Sequence, residues 1–198
     1  MKVVILNPTL PAYKKDFFEA LNNTLHKKEI ELSVIHGKNF FKKTVKSDTD
    51  PNYSAIPLKA LEVNFFSFRI TWWKGIFQQI RKIKPDTVII NFNTGNIALW
   101  IVQLYCYINK INIGIWSCGF IREEMIGIRR RIRRLFVNFF LFRADFHICY
   151  GTKYKGDLLT LGIEESRVFV AQNTLNIERI LALDFDKTLN ISNDTMSH

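Results

Sequence analysis

The sequence contains few cysteines, and their spacing excludes two kinds of structural site. Three occur in 198 residues. Cys106, Cys118 and Cys149 lie far apart and form no Cys-x-x-Cys pair, so the sequence predicts neither a zinc site nor a disulfide framework. A reducing cytoplasm is the simplest environment for such a chain, and we expect no metal centre.

Long hydrophobic segments are also missing. The longest, residues 97–108, has twelve residues and includes Gln103, well below the ~20 needed to span a bilayer as a helix. Met1-Lys2 precedes four apolar residues before Asn7-Pro8, which is too short for a signal-peptide core. We expect a cytoplasmic protein whose membrane contact is at most peripheral, at the inner face of the cytoplasmic membrane.

Two phosphate-binding motifs are absent. The first predicted strand is not followed by Gly-x-Gly-x-x-Gly, and Gly-x-x-x-x-Gly-Lys-Ser/Thr occurs nowhere in the sequence. An NAD-dependent dehydrogenase and an ordinary P-loop NTPase are therefore disfavoured. We expect no cofactor in this domain.

Positive charge is plentiful. Lys and Arg number 28 against 18 Asp and Glu, a net charge of +10, which attracts phosphates, nucleic acid or anionic lipids. Nucleic acid is disfavoured, because most aromatic residues fall on apolar stripes and do not alternate with exposed cations.

The sharpest basic feature is a cluster of five arginines on one predicted helix. Ile128, Ile132, Leu135, Phe139 and Phe142 form an apolar seam on this helix at helical spacing. The basic amphipathic face could bind an anionic membrane surface or an acceptor phosphate, but a core helix with an Arg-rich solvent face fits equally well. The arginines are Arg129, Arg130, Arg131, Arg133 and Arg134.

Apolar runs and helical stripes alternate along the chain. We predict strands at 3–6, 32–36, 87–91 and 111–116, an edge strand or hairpin near 55–66, and two strands between 143 and 174. Helices are predicted at 13–25, 72–83, 96–109 and 128–142, and residues 38–54 form a polar excursion. This alternation predicts an α/β fold with a doubly wound parallel, Rossmann-like sheet. Ligands of such sheets bind beyond the carboxyl ends of the strands.

Several short motifs, in order, resemble the N-terminal half of a family 4 glycosyltransferase of the two-domain GT-B architecture. They are the Pro-rich loop ending at Tyr13, the paired Phe17-Phe18, Lys84-Pro85-Asp86 before a buried strand, Trp116-Ser117-Cys118-Gly119 at a strand end, Ala144-Asp145, and Asn173-Thr174. The resemblance covers residues 1–182. Residues 183–198 are expected to be a polar tail or a truncated linker to a missing C-terminal domain.

The resemblance implies the acceptor-binding half of a retaining glycosyltransferase. The full enzyme would transfer a sugar from a UDP- or GDP-sugar to a polysaccharide or lipid-linked acceptor, and a separate domain would bind that donor. The half alone would be inactive. The implied acceptor-binding residues are Asn7, Thr9, Tyr13, Asn93, Gly95, Gly119 and Arg122, and Asn173 and Thr174 would form the interdomain hinge.

Cys118 departs from the family pattern, because related sequences often carry a catalytic His there. A thiol is a weak hydrogen-bond donor, so this branch either works without that His or has impaired activity. The alternative function is a non-catalytic module, a split subunit or a relic, that binds an acceptor or a membrane surface. The sugar, the linkage and the oligomeric state stay open.

Overall fold

Strands and helices alternate from the start of the chain. The computed structural model describes residues 1–10, 14–38, 53–65, 68–91, 96–117 and 128–172. Strand β1 (Lys2–Asn7), helix α1 (Lys15–His26) and strand β2 (Glu31–Lys38) form the first β-α-β unit. β1 and β2 are parallel, with Asn7 opposite His36. The two predicted strands and the predicted helix are confirmed.

A hairpin follows. Strand β3 (Ser54–Phe65) lies parallel to β2, and strand β4 (Phe68–Trp73) pairs antiparallel with β3. The hairpin predicted near residues 55–66 is confirmed. The prediction that Trp72 begins the next helix is wrong, because Trp72 lies in β4. Gly75, with φ of 84°, separates strand from helix, and the aromatic and β-branched residues before it favour a strand.

The remaining elements continue the alternation. In chain order they are α2 (Ile76–Ile83), β5 (Thr87–Asn91), α3 (Ile97–Ile108), β6 (Asn112–Ser117), α4 (Ile128–Phe142), β7 (Phe146–Cys149), α5 (Thr152–Thr160) and β8 (Val168–Val170). The bounds predicted for β5, α3, β6 and α4 are confirmed within a few residues, and β7 and β8 are the two strands predicted between 143 and 174. The polar excursion predicted at 38–54 is wrong at its ends, because Lys38 lies in β2 and Ser54 in β3; residues 39–52 and the tail predicted at 183–198 lie outside the described residues.

The eight strands form one sheet in the order β4-β3-β2-β1-β5-β6-β7-β8. Every described pair except β3–β4 is parallel. Alternate residues of β1 pack into the hydrophobic cores on the two faces of the sheet. Val3 and Ile5 pack with Phe18 of α1, whereas Val4 and Leu6 pack with α2 to α5. Helices therefore cover both faces, and the predicted α/β, doubly wound, Rossmann-like fold is confirmed.

Two aspartates fix the starts of neighbouring strands in the same way. The Asp86 carboxylate accepts the Lys2 N–H at 2.6 Å, and the Asp86 N–H donates to the Lys2 carbonyl at 2.9 Å. The Asp145 carboxylate accepts the Ile113 N–H at 2.6 Å, and its N–H donates to the Ile113 carbonyl at 2.8 Å. The Pro-Asp and Ala-Asp motifs therefore set where β5 meets β1 and where β7 meets β6.

Helix α4 presents its predicted seam to solvent. The described seam residues Leu135, Phe139 and Phe142 are 67%, 42% and 46% exposed, whereas the buried residues are Val137, Phe140 and Leu141. For these three residues, the interpretation as a seam facing the core is wrong. α4 carries two apolar stripes, and packing of Phe140 against Trp100 of α3, with ring centroids 4.4 Å apart, selects the other one.

Candidate functional site

The carboxyl ends of the two central strands are joined by a side-chain hydrogen bond. The strand order reverses between β1 and β5, the position where open parallel sheets bind ligands. There Asn91 Nδ2 donates to Asn7 Oδ1 at 2.7 Å, and Asn7 is 1% exposed. The pair therefore ties the ends of β1 and β5 together at the candidate site.

Asn7 also holds the loop that follows β1. Its Nδ2 donates to the Thr9 carbonyl, and the Pro8 carbonyl accepts the Gly37 N–H at 3.2 Å. A Cβ on Gly37 would lie 2.9 Å from the Pro8 oxygen, so only glycine allows β2 this close to the loop. Residues 8–10 are thus positioned by β1, β2 and β5.

A cation and three aromatic rings form a second group at this edge. The ammonium of Lys14 lies 5.5 Å from the ring centroid of Trp116 at the end of β6. The rings of Phe17 and Tyr150 each lie 5.5 Å from that of Trp116. Burial lowers the pKa of Lys14, because an apolar environment disfavours the charged amine. We call these four residues the Lys14–Trp116 cluster.

The cluster suits an anionic or sugar-bearing ligand. Lys14 directly precedes α1, so its ammonium lies near the helix N-terminus, where backbone N–H groups and the helix dipole also favour an anion. Trp116 Nε1 is buried and has no hydrogen-bond partner within the described residues. The position therefore combines a partly desolvated cation with the half-buried rings of Phe17 and Tyr150, packed on the buried ring of Trp116.

Two buried polar side chains lie close to the same edge. Burial lowers the pKa of His36, and a hydrogen bond with the Gly37 backbone partly opposes the shift, so its imidazole is neutral at pH 7. Asn96, before α3, is fully buried, and neither polar atom of its amide has a hydrogen-bond partner among residues the structure describes. The Asn96 amide can therefore form hydrogen bonds only with groups outside the described residues.

The described site residues predicted from the sequence are Asn7, Thr9 and the arginines of α4. Asn7 and Thr9 are joined by a hydrogen bond at the switch point, and Arg134 is exposed. Arg129 to Arg133 lie in α4, which is a different element from the strands β1 and β5 that end at Asn7 and Asn91. Outside the described residues lie Tyr13, Asn93, Gly95, Cys118, Gly119, Arg122, Asn173 and Thr174.

The thiols that the structure describes are unreactive. Burial raises the pKa of Cys106 to about 12 and that of Cys149 to about 11, and a thiol must ionise to act as a nucleophile or metal ligand. Within the described ranges, no three His, Cys, Asp or Glu side chains are grouped to hold a metal ion. In that same part of the chain, every helix is too short or too polar to cross a membrane.

Lys14 was not among the site residues predicted from the sequence. Phe17 and Trp116 were recognised separately, as parts of two motifs about a hundred residues apart. A lysine at the start of the first helix was the available signal, since helix N-termini lie at the carboxyl edge of a parallel sheet. Its contact with Trp116 depends on tertiary packing.

The Rossmann-like α/β fold of this chain is similar to one half of several solved enzymes. UDP-GlcNAc 2-epimerase from Neisseria meningitidis, bound to UDP-GlcNAc, is similar with a TM-score of 0.57 and 19% identity, over 98% of this chain and 52% of that one. HepE from Anabaena, in complex with UDP and glucose, is similar with a TM-score of 0.55 and 11% identity, over 90% and 46% of the two chains.

A third similar structure is the lipopolysaccharide outer core galactosyltransferase WaaB in its apo form. Its TM-score is 0.50 and its identity 14%, over 88% of this chain and 46% of that one. The chain thus spans about half the length of these structures. No protein-family model matches the chain, and no curated protein matches it in sequence. At these identities the similarity shows the fold alone.

Proposed function

We propose that this chain is the acceptor-side half of a retaining family 4 glycosyltransferase. In the complete enzyme, a sugar passes from a UDP- or GDP-sugar to a polysaccharide or lipid-linked acceptor. The proposal is supported by the fold, since HepE and the Neisseria epimerase are solved with UDP or a UDP-sugar. The order of the short motifs from Tyr13 to Asn173-Thr174 supports the assignment to the N-terminal half.

The Lys14–Trp116 cluster carries the proposal. The half-buried rings of Phe17 and Tyr150 offer an apolar platform to a sugar ring, and the ammonium 5.5 Å from the Trp116 centroid offers a charge to a phosphate-bearing acceptor. The cluster lies at the carboxyl ends of β6 and β7, on the edge of the sheet where open parallel sheets bind ligands.

Asn7 and Asn91 act as positioning residues. Both polar atoms of the Asn7 amide are engaged within the protein, so this residue fixes the backbone of Pro8 and Thr9. Orienting an acceptor hydroxyl toward the reacting carbon lowers the barrier by avoiding loss of freedom during the reaction. Contacts of Thr9, Tyr13, Asn93, Gly95, Gly119 and Arg122 with the acceptor stay predictions, as does a role for Cys118.

The donor is proposed to bind a second domain, which completes the cleft. UDP- and GDP-sugars should therefore produce no saturable rise in the melting temperature of this chain. Tight, saturable stabilisation by either donor would contradict the assignment to the acceptor side.

Acceptor binding is tested by saturation-transfer NMR with sugars, sugar phosphates and oligosaccharides. Saturation transfer to the protons of at least one class of sugar ligand is expected. Lys14→Met should weaken the binding of the phosphorylated ligands about tenfold, or ~1.4 kcal/mol. Lys28→Met is the matched control, because Lys28 is exposed beyond the other end of α1. If Lys14→Met and Lys28→Met weakened ligand binding equally, Lys14 would not be part of the binding site.

The alternative is a non-catalytic module that binds an acceptor or a membrane surface. Fold similarity does not distinguish chemistry, because the similar structures include epimerases as well as transferases. Adding a donor-binding domain and analysing the products decides the question. A glycosylated acceptor supports the transferase, an epimerised donor points to an epimerase, and no conversion favours the module.

A further inference from the structure

Helix α3 exposes a continuous apolar stripe. Ile97, Ile101, Leu104 and Ile108 follow one another at steps of four, three and four residues, which places them on one face of the helix. They are 39% to 69% exposed, while Leu99, Val102 and Cys106 are buried on the opposite side. α3 therefore has a second apolar face beyond the one that packs on the sheet.

The exposed stripe of α4 lies beside that of α3. The two helices are in contact, since Gln103 Nε2 donates to the Phe140 carbonyl at 2.7 Å. Their outer faces are bridged by Arg143, whose guanidinium lies 3.5 Å from the ring centroid of Phe139 and 5.4 Å from that of Tyr107. We call the two stripes together the α3–α4 surface: Ile97, Ile101, Leu104, Ile108, Leu135, Phe139 and Phe142.

The charge around the α3–α4 surface is mainly positive. α3 contains no charged residue, and α4 contains five arginines and no acidic residue. Arg134 is exposed next to Leu135. At the far end of both helices, a cleft lined by Tyr107, Lys110, Phe142 and Arg143 adds two more cations.

One carboxylate, Asp145, lies among the residues lining that cleft. It is engaged by the Ile113 N–H. The second arginine of the cleft, Arg167, donates to the Ala144 and Asp145 carbonyls. Arg143 likewise donates from Nη1 to the Phe139 carbonyl, at 3.5 Å, so Lys110 is the lining cation that is left to face an incoming anion.

We propose that the α3–α4 surface docks on the interface of an anionic lipid bilayer. The apolar stripes enter the boundary between headgroups and acyl chains, and Arg134 and Lys110 pair with lipid phosphates. Tyr107, with a polar tip on an apolar ring, suits the headgroup level. The charge pattern selects this occupant, because two copies of the chain would bring like-charged arginines together.

The α3–α4 surface is separate from the carboxyl edge where sugars are proposed to bind. Its stripes run along the outer faces of two helices, whereas Lys14 lies at the start of α1 and Trp116 at the end of β6, with Phe17 on the opposite face of the sheet. Membrane docking and sugar binding can therefore succeed or fail independently.

The test is flotation with phosphatidylcholine vesicles, with and without phosphatidylglycerol. Wild type should float with the anionic vesicles, and added salt should release it. Ile101→Glu combined with Leu135→Glu should reduce bound protein at least tenfold, and Arg134→Glu should lower binding to anionic vesicles alone. Leu61→Glu, which changes an exposed leucine of β3, is the matched control and should bind like wild type.

Three results would overturn the proposal. They are equal recovery with neutral and anionic vesicles, no recovery with either, and a dimer in light scattering that the double variant dissociates. Hydrogen exchange of wild type with and without anionic vesicles gives a measurement that does not depend on variants. Protection should appear in residues 97–108 and 128–142, and protection elsewhere alone would count against the assignment.

Discussion

Asn91 donates a hydrogen bond of 2.7 Å to Asn7 across the point where the strand order of the sheet reverses. Asn7 in turn donates to the Thr9 carbonyl. The first loop of the candidate site is therefore held by the two central strands, and its position depends on their packing.

Asn7→Ala should lower the free energy of unfolding by about 1–3 kcal/mol, because it leaves polar groups of the loop and of Asn91 without a partner. Asn91→Ala should cost less, since Asn91 is only half-buried. Chemical denaturation of both variants and the double variant should give a coupling energy near ~1 kcal/mol. Additive losses would mean that the hydrogen bond contributes nothing.

Asp86→Ala and Asp145→Ala should each destabilise the protein by roughly 0.5–2 kcal/mol, because each removes the acceptor for a backbone N–H at a strand start. Asp86→Asn and Asp145→Asn keep an acceptor oxygen and should recover part of the loss. Asp157→Ala, in α5, is the control. Losses no larger than that of the control would show that these aspartates do not fix the strands.

Gly114→Ala should cost about 1–3 kcal/mol through overpacking, since its Cβ would lie 2.4 Å from the Phe146 ring. Gly156→Ala, with open space at its Cβ inside α5, should be stabilising by about 0.5–1 kcal/mol. Phe146→Leu should relieve the clash in a Gly114→Ala background. If urea denaturation showed Gly114→Ala to be more stable than Gly156→Ala, this account of the packing would be contradicted.

His147 should make stability fall as the pH is lowered from 6.5 to 4. Burial lowers its pKa from 6.5 to about 4, so the unfolded chain takes up a proton throughout this window while the native imidazole stays neutral. At ~1.36 kcal/mol per pH unit the loss is roughly 3 kcal/mol, and none is expected above pH 7.

His147→Gln provides the comparison. The His147 Nε2–H donates to the Leu141 carbonyl at 3.2 Å, and a Gln amide can replace that donor without titrating. The difference in free energy of unfolding between wild type and His147→Gln should therefore change by roughly 3 kcal/mol between pH 6.5 and pH 4. A difference that is constant from pH 4 to 7 would exclude His147 as the cause.

Lys14→Met should leave the fold at least as stable as wild type at pH 7 while weakening ligand binding. The lowered pKa of Lys14 means that folding disfavours its charged form. The cation–π contact, near the ~6 Å limit, contributes only about 0.5 kcal/mol. A melting temperature well below that of Lys28→Met would make Lys14 a structural residue.

The order of the elements could be predicted because β1 and β5 are short runs of Val, Ile and Leu with turn residues after them. Strands buried on both faces have this composition. The face that α4 turns to the core could not be predicted, because two apolar stripes compete and Trp100 of α3 decides between them. The same limit applies to Lys14, whose partner Trp116 is distant in sequence.

The sheet order has a consequence for how the chain assembles. Residues 1–38 supply β1 and β2, which lie between β3 and β5, so the outer strands on either side are joined in the sheet only through this first segment. During synthesis, β1 gains its second neighbour only after β5 has left the ribosome. Two polypeptides produced by cutting between residues 38 and 53 should therefore recombine into one folded complex, since neither can complete the sheet alone.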